Sequence, residues 1–358
     1  MEMRKYLKDK IKKICFFFLY FSKITGLIFY FIKKRWKDFP SIILIYHRFI
    51  DDKNCSYLNK GPVVQHKVKH FEKEIKYLKK YFKVETLDKI VTQIKAHNAF
   101  DNPTISITFD DGYLDNYELA YPILKKEGIP ATVYVTTGLI GSNERTWTDE
   151  IELALMGTKK EFLQIDIHGE SIMPISTIKD RERANIRIAE LLKRLPDEER
   201  REHLKSILEI LDDKSATQNG KERRMLNWDE VKEMAAENIS IGVHTHTHGI
   251  LSKMPLGEAK REIFLSKKIV EEKLGTPAKH FSFPNGREED FSEILRDYCK
   301  EIGFESVTSA VHGVNDPNRG DRFSLRRMGA VSPVWMMAGE LLKEILRWCW
   351  KNGKPALM

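Results

Sequence analysis

Ile105 and Ile107 alternate with Ser106 and Thr108 in the stretch Thr104-Ile105-Ser106-Ile107-Thr108-Phe109, which then stops at Asp110-Asp111-Gly112. Alternation of this kind specifies a strand, and Gly112 frees the backbone to turn sharply once the two carboxylates have been delivered to its end. Adjacent side chains on an extended chain point to opposite faces, so Asp110 and Asp111 are expected to do different work, one holding a metal and the other moving a proton. A surface Asp-Asp-Gly turn is the plainer reading of the tripeptide taken alone.

A second apolar run, Ile239 to Val243, ends in His244-Thr245-His246-Thr247-His248, so three of the eleven histidines fall within five residues. Imidazole is the commonest nitrogen ligand for zinc and iron, and a spacing of four brings His244 and His248 together if helix follows the strand. One aspartate with two histidines leaves coordination positions open for water, as hydrolytic rather than structural metal sites do. A third run, Ile42-Ile43-Leu44-Ile45-Tyr46, is continuous in its apolar character, as a strand buried on both faces should be, and it ends at His47-Arg48.

Between these runs the apolar spacing turns helical. Phe71, Ile75 and Leu78 mark a helix over Val68 to Tyr81, and others are expected near Leu87 to Ala96, Tyr117 to Lys126 and Leu256 to Leu274, the last two closed by Gly128 and Gly275. Ala131 to Val135 and Phe281 to Pro284 read as further strands. Strand alternating with helix makes an α/β fold, expected as a distorted, partly closed parallel β/α barrel with its chemistry at the carboxyl ends of the strands. Residues from about 150 to 225 are charge-rich and read as a helical insertion beside the rim. The chain of 358 residues then divides into a segment 1–37, a domain 38–345 and a C-terminal tail 346–358. Cys15, Cys55, Cys299 and Cys349 show no CxxC spacing, which leaves a disulfide framework or thiolate metal site without support.

Much of the net charge of +8 sits in residues 1–37. Five lysines between positions 5 and 13 precede the apolar and aromatic run Ile14 to Ile32, and Lys33, Lys34 and Arg35 follow it. Nineteen residues barely span a hydrocarbon core, and Lys23 at the middle would cost about 2.5–3.5 kcal/mol on insertion scales. A helix lying in the interface, aromatics down and lysines on anionic headgroups, accommodates Lys23 better. The expected location is therefore membrane-associated, on the cytoplasmic face, with a signal-anchored domain outside as the alternative. Positive charge concentrated in an apolar terminus, rather than on a folded face, argues against nucleic acid as a partner.

Thr108-Phe109-Asp110-Asp111-Gly112 and His244-Thr245-His246-Thr247-His248 resemble the first two motifs of the polysaccharide deacetylase family, the NodB-homology domain. The resemblance extends from about Ile42 to Met328, and the opening strand followed by Tyr46-His47 is similar to the poly-N-acetylglucosamine deacetylases. It implies removal of N-acetyl groups from amino sugars of a polysaccharide or lipid-linked glycan. It also implies one divalent transition metal on Asp111, His244 and His248, zinc first, with iron, cobalt or nickel suiting the same donors. Asp110 would be the base, His47 the acid with His312 as second candidate, and the Asn285 amide an oxyanion donor. Pro284, Tyr113 and Trp147 would line the substrate. Family members carry an arginine two residues before the motif proline and an aromatic just after it, where this chain has Ser282 and Asn285. The arginine's task of orienting the base must then fall elsewhere, to Arg326 or Arg327. Two rival readings stand beside the deacetylase one: a catalytically degenerate glycan binder, which the departures suggest, and a metal phosphoesterase, which could also use an Asp-Asp pair at a strand end, although no phosphate-cradling glycine loop is present.

Overall fold

A computed structural model describes residues 2–51, 61–167, 169–211 and 224–353. Two helices, α1 (Glu2–Phe21) and α2 (Ile24–Arg35), precede β1 (Ser41–Tyr46) and a short parallel pair, β2 (Arg48–Ile50) with β3 (Gln65–Lys67). Next come α3 (Val68–Tyr81), β4 (Lys83–Val84), α4 (Leu87–Lys95), β5 (Thr104–Phe109), α5 (Tyr121–Glu127) and β6 (Ala131–Val135). The insertion follows as α6 (Trp147–Gly157), the antiparallel hairpin β7 (Phe162–Asp166) and β8 (Glu170–Pro174), α7 (Ile178–Leu192) and α8 (Asp197–Leu211). After it the alternation resumes with α9 (Trp228–Ala235), β9 (Ile239–Val243), α10 (Leu256–Leu274), β10 (His280–Ser282), α11 (Glu293–Glu301), β11 (Ser306–His312), β12 (Leu325–Gly329) and α12 (Val334–Lys351).

Seven strands close into a parallel barrel in the order β1, β5, β6, β9, β10, β11, β12 and back to β1. Continuous apolar character explains why β1 can be the closing strand: all six of its residues are buried, and it pairs with β5 from Ser41↔Thr104 to Tyr46↔Phe109 and with β12 at Leu44↔Met328. The distortion lies elsewhere in the ring. Strand β10 has three residues and meets β9 at one position, Phe281↔Val243, and the β11–β12 register shifts between Thr308 and His312. Parallel strands send all their carboxyl ends to one rim, so His47, Asp110 and His244, each following a strand end, arrive on the same side.

Three expectations change. The run Ile14 to Ile32 is not one helix: Ser22 Oγ donates to Phe18 O at 2.6 Å, Lys23 turns left-handed at φ 60°, and the two helices meet at a bend of 76°. Residues 346–351 are no tail but the last turns of α12, with Trp348 and Cys349 buried. The insertion contains the β7–β8 hairpin besides its helices, and it has a hydrophobic core of its own around Ile151, Leu163, Ile188 and Ile207.

Candidate active site

The turn after β5 separates the two acids. Asp110 N–H donates to Tyr46 O at 3.0 Å, which continues the β1–β5 ladder, and then Asp111 adopts φ 77° and Gly112 φ 85°. A Cβ on Gly112 would stand 2.9 Å from Ile140 Cδ1, so both backbone conformation and space call for glycine there. The turn sends Asp110 toward β12 and Asp111 toward the histidines. Arg327, buried in β12, holds Asp110 in a two-pronged ion pair, Nη1 to Oδ1 at 2.7 Å and Nη2 to Oδ2 at 2.8 Å. Its remaining donors reach Ser309 O at 2.9 Å, Thr108 Oγ1 at 3.1 Å and Ser282 Oγ at 2.7 Å, so the guanidinium is fixed on every side. Burial is the largest influence on the Asp110 carboxyl and pushes it up, but the Arg327 charge and hydrogen bonds, with His244 and His47, together outweigh it and hold the group below the usual carboxylate range.

His244 and His248 do converge, though without a helix. Thr245 and His248 are left-handed at φ 64° and 60°, and His248 N–H donates to Thr245 Oγ1 at 3.1 Å, which closes a tight loop. The Glu262 carboxylate caps that loop by accepting from the His246 and Thr247 amides at 2.9 and 2.8 Å. His246 turns away to Thr137 Oγ1 at 3.0 Å. Of the six non-glycine residues with positive φ among those described, Asp111, Thr245, His248 and Asn285 stand at this rim. Conformations of this sort cost about 1–3 kcal/mol each and persist where surrounding contacts over-determine them.

One ligand atom each from Asp111, His244 and His248 lies within 4.8 Å of the others, and this is the one such cluster among the described residues. Asp111 Oδ1 stands 3.4 Å from His244 Nε2 and 3.0 Å from His248 Nε2. His244 Nδ1 sits 2.8 Å from Ser282 O, so that nitrogen carries the proton and Nε2 turns its lone pair inward. Asp111 Oδ1 is buried and accepts no hydrogen bond among the described residues. Electron pairs converging on one point in this way fit a bound cation, and aspartate with two imidazoles is a donor set for a divalent transition metal.

The other candidates divide. His47 follows β1, half-buried, with its carbonyl held by Asn116 Nδ2 at 2.6 Å, and burial lowers its imidazole pKa against the opposing pull of Asp111 and Asp110. Asn285 turns left-handed after the buried Pro284, its side chain tied to Asp290 and its backbone N–H without a partner among the described residues. His312 is not at the cluster: its Nε2 lies 3.5 Å from Glu344 on the outer helix α12. Tyr113 and Trp147 are not open walls. Tyr113 is fully buried beneath the Arg48 guanidinium, 4.7 Å from the ring centre, and Trp147 packs into the insertion core under Arg200.

A sequence profile of the family described as polysaccharide deacetylase matches residues 97–307, more than half of the chain. This chain belongs to the polysaccharide deacetylase family. Among curated relatives of this deacetylase-family chain, the putative polysaccharide deacetylase YxkH of Bacillus subtilis is 43% identical over 63 residues, 17% of this chain and 23% of its own. The poly-beta-1,6-N-acetyl-D-glucosamine N-deacetylase of Staphylococcus aureus is 33% identical over 117 residues, 30% of this chain and 40% of its own. The aligned stretches thus span less than half of either relative. Among solved structures, deacetylase PplD of Streptococcus pyogenes superposes with a TM-score of 0.53 at 16% identity, covering 86% of this chain and 99% of that one. IcaB from Ammonifex degensii gives 0.54 at 18%, covering 86% and 98%. At those identities the likeness concerns the fold, which it supports along nearly the whole barrel.

Glu262 was not singled out from sequence, and Ser282 only as a departure from the family pattern, without a role. Ser282 serves both halves of the site, its carbonyl fixing His244 and its hydroxyl fixing Arg327. The departure from the family pattern at this position was the available signal. Glu262 lies mid-helix among other acids and offered none.

Proposed function

We propose that this deacetylase-family chain hydrolyses N-acetyl groups on amino sugars of a glycan, releasing acetate and a free amine. The observation that carries the reading is the pairing of a cation-fitting cluster, Asp111, His244 and His248, with an adjacent carboxylate locked by Arg327. Asp111, His244 and His248 would hold a divalent transition metal, which would supply Lewis acidity toward the acetyl carbonyl and toward water. Asp110 takes the proton of the attacking water: Arg327 occupies one lone pair on each of its oxygens and leaves the others for the substrate side. The Asn285 N–H, presented by the left-handed turn after Pro284, donates to the oxyanion that attack creates. His47 returns a proton to the departing amine, a step the amide C–N bond needs before it breaks. Arg327 answers the argument for a degenerate binder, because it supplies from β12 the support that Ser282 cannot give as an arginine would.

The substrate named for the Staphylococcus aureus relative makes β-1,6-linked N-acetylglucosamine oligomers the first compounds to assay. Full-length wild type should take up about one equivalent of zinc or cobalt and release acetate, and Asp111→Ala and His248→Ala should lose both. Asp110→Asn should keep the metal and lose turnover about 10²–10⁴-fold. Folded wild type that takes up no metal would overturn the reading. Metal uptake without acetate release from these oligomers would remove that substrate.

A further inference from the structure

Residues 1–37 hold eleven of the 60 lysines and arginines and two of the 52 acids, so they carry +9 while the remaining chain carries −1. The same segment is docked on the barrel by one face. Phe16 lies over Gly339 of α12, where even a Cβ would stand 2.1 Å from the ring, and Lys12 pairs with Glu340 at 3.0 Å. Phe29 of α2 packs against Tyr81 and Phe82 beside α3, and Ile32 and Trp36 are buried with it. The opposite face is apolar and uncovered. Leu7, Ile11, Ile14, Phe18 and Phe21 recur at helical spacing along α1, Phe18 being 66% exposed, and Leu27 and Phe31 continue the stripe on α2. Lys8 and Lys13 lie near one end of this stripe, and Lys34, Arg35 and Lys37 at the other, all exposed.

We infer that α1 and α2 seat the barrel on an anionic bilayer surface, lying in the plane of the headgroups with the apolar stripe toward the acyl chains. Charge complementarity selects this occupant: an apolar stripe edged by cations matches an interface that is hydrocarbon below and anionic above. No single helix among the described residues is long and apolar enough to cross a membrane, and the pair is bent by 76°. Depth is limited from the other side as well. Helix α3, against which α2 packs, exposes Lys76 and Lys79, whose charges belong in water. The wall of the barrel carrying α3 and α12 therefore faces the bilayer, which is where a lipid-linked or nascent surface glycan would be met. The seating on the bilayer stands on the docked helices alone; only the meeting with glycan there rests on the deacetylase reading.

The test is flotation of the full chain with vesicles of phosphatidylcholine alone or with phosphatidylglycerol, no activity being measured. Binding should require the anionic lipid and weaken with salt, and the double variant Phe18→Asp/Phe31→Asp should lower the bound fraction at least about tenfold. Both side chains are exposed, so its circular dichroism and melting curve should match wild type. Trypsin added outside sealed vesicles should reach Lys8 and Lys34 alike. Wild type that stays with the soluble fraction, a double variant that floats equally well, or Lys8 protected while Lys34 is cut would each overturn the inference. So would a dimer of the free chain dispersed by the same two substitutions, because a second copy would then cover the stripe.

Discussion

The rim of the barrel and the insertion beside it both offered candidate residues, yet only those of the rim converge on one point. Asp110, Asp111 and His244 each follow a strand whose end is set by the barrel, so a residue's place in sequence nearly fixes its place in space. Trp147 begins α6, and the direction of a helical side chain depends on what the helix packs against. Here that is the insertion's own core, and Trp147 joins it. The two regions meet through ion pairs: Arg48 Nη1 to Asp149 at 3.3 Å, and Arg287 of the loop after β10 to Glu190 of α7 at 2.8 Å. Position is thus determined by topology at the rim and by packing in the insertion.

Paired substitutions sharpen that contrast most strongly. Arg327→Met leaves Asp110 as a buried charge without compensation, which should cost about 3–5 kcal/mol of stability, and acetate release should fall at least about 100-fold. Trp147→Ala should cost a similar 3–5 kcal/mol by opening a cavity in the insertion core. Its effect on metal uptake and on turnover at low temperature should be less than about threefold, since it packs into the insertion core and under Arg200. Denaturant melts beside acetate assays check both. Turnover lost in Trp147→Ala along with stability would mean that the insertion, too, builds the site.

The same contrast explains what was legible beforehand. The parallel barrel, the acidic and histidine strand ends, and the helix over Val68 to Tyr81 all rest on local periodicity, and the structure contains each. The loop holding His248 could not be read as such. A spacing of four suits a helix, and only the left-handed Thr245 and His248, supported by Glu262 from α10, show that a loop achieves it. Likewise Arg326 and Arg327 are adjacent, and alternation along β12 decides between them: Arg327 points into the barrel and Arg326 out over Gly313. Ser22, Lys23, Thr25 and Gly26 interrupt the apolar run where the break falls, but polar and small residues alone do not tell a bend from a continuous helix.

The joint between the two regions has its own pH signature. Asp115 accepts from Arg48 Nε at 3.2 Å and from the Phe49 amide at 3.0 Å, but burial outweighs both and raises its carboxyl to about 6 from an ordinary 3.8. A carboxyl raised on folding binds more protons in the native state than in the unfolded one between those values. Its charge therefore opposes folding increasingly as pH rises through 4 to 6, and fully above that. Wild type should lose stability relative to Asp115→Asn across that window, by on the order of 1–3 kcal/mol, and the gap should level off near neutrality. Melting temperatures of the two proteins from pH 4 to 8 test it. A gap that runs the other way would show that Arg48 stabilises the charge more than burial penalises it.

The smallest expected effect probes how the two halves of the site are joined. Ser282→Ala keeps the carbonyl that orients His244 and removes only the hydroxyl that accepts from Arg327 Nη2. Metal affinity should therefore change little. Asp110, still held by both guanidinium nitrogens, should retain its charge while losing part of its orientation, and loss of a supporting contact of this kind lowers activity by about 10–100-fold. The fall should appear in kcat more than in KM, because the hydroxyl supports the base and not substrate binding. Metal affinity falling in step with kcat would mean that the serine positions the cation site through its hydroxyl as well. Rim residues would then act as one coupled unit, and the division of labour between Asp110 and Asp111 would be less sharp than the geometry of their turn implies.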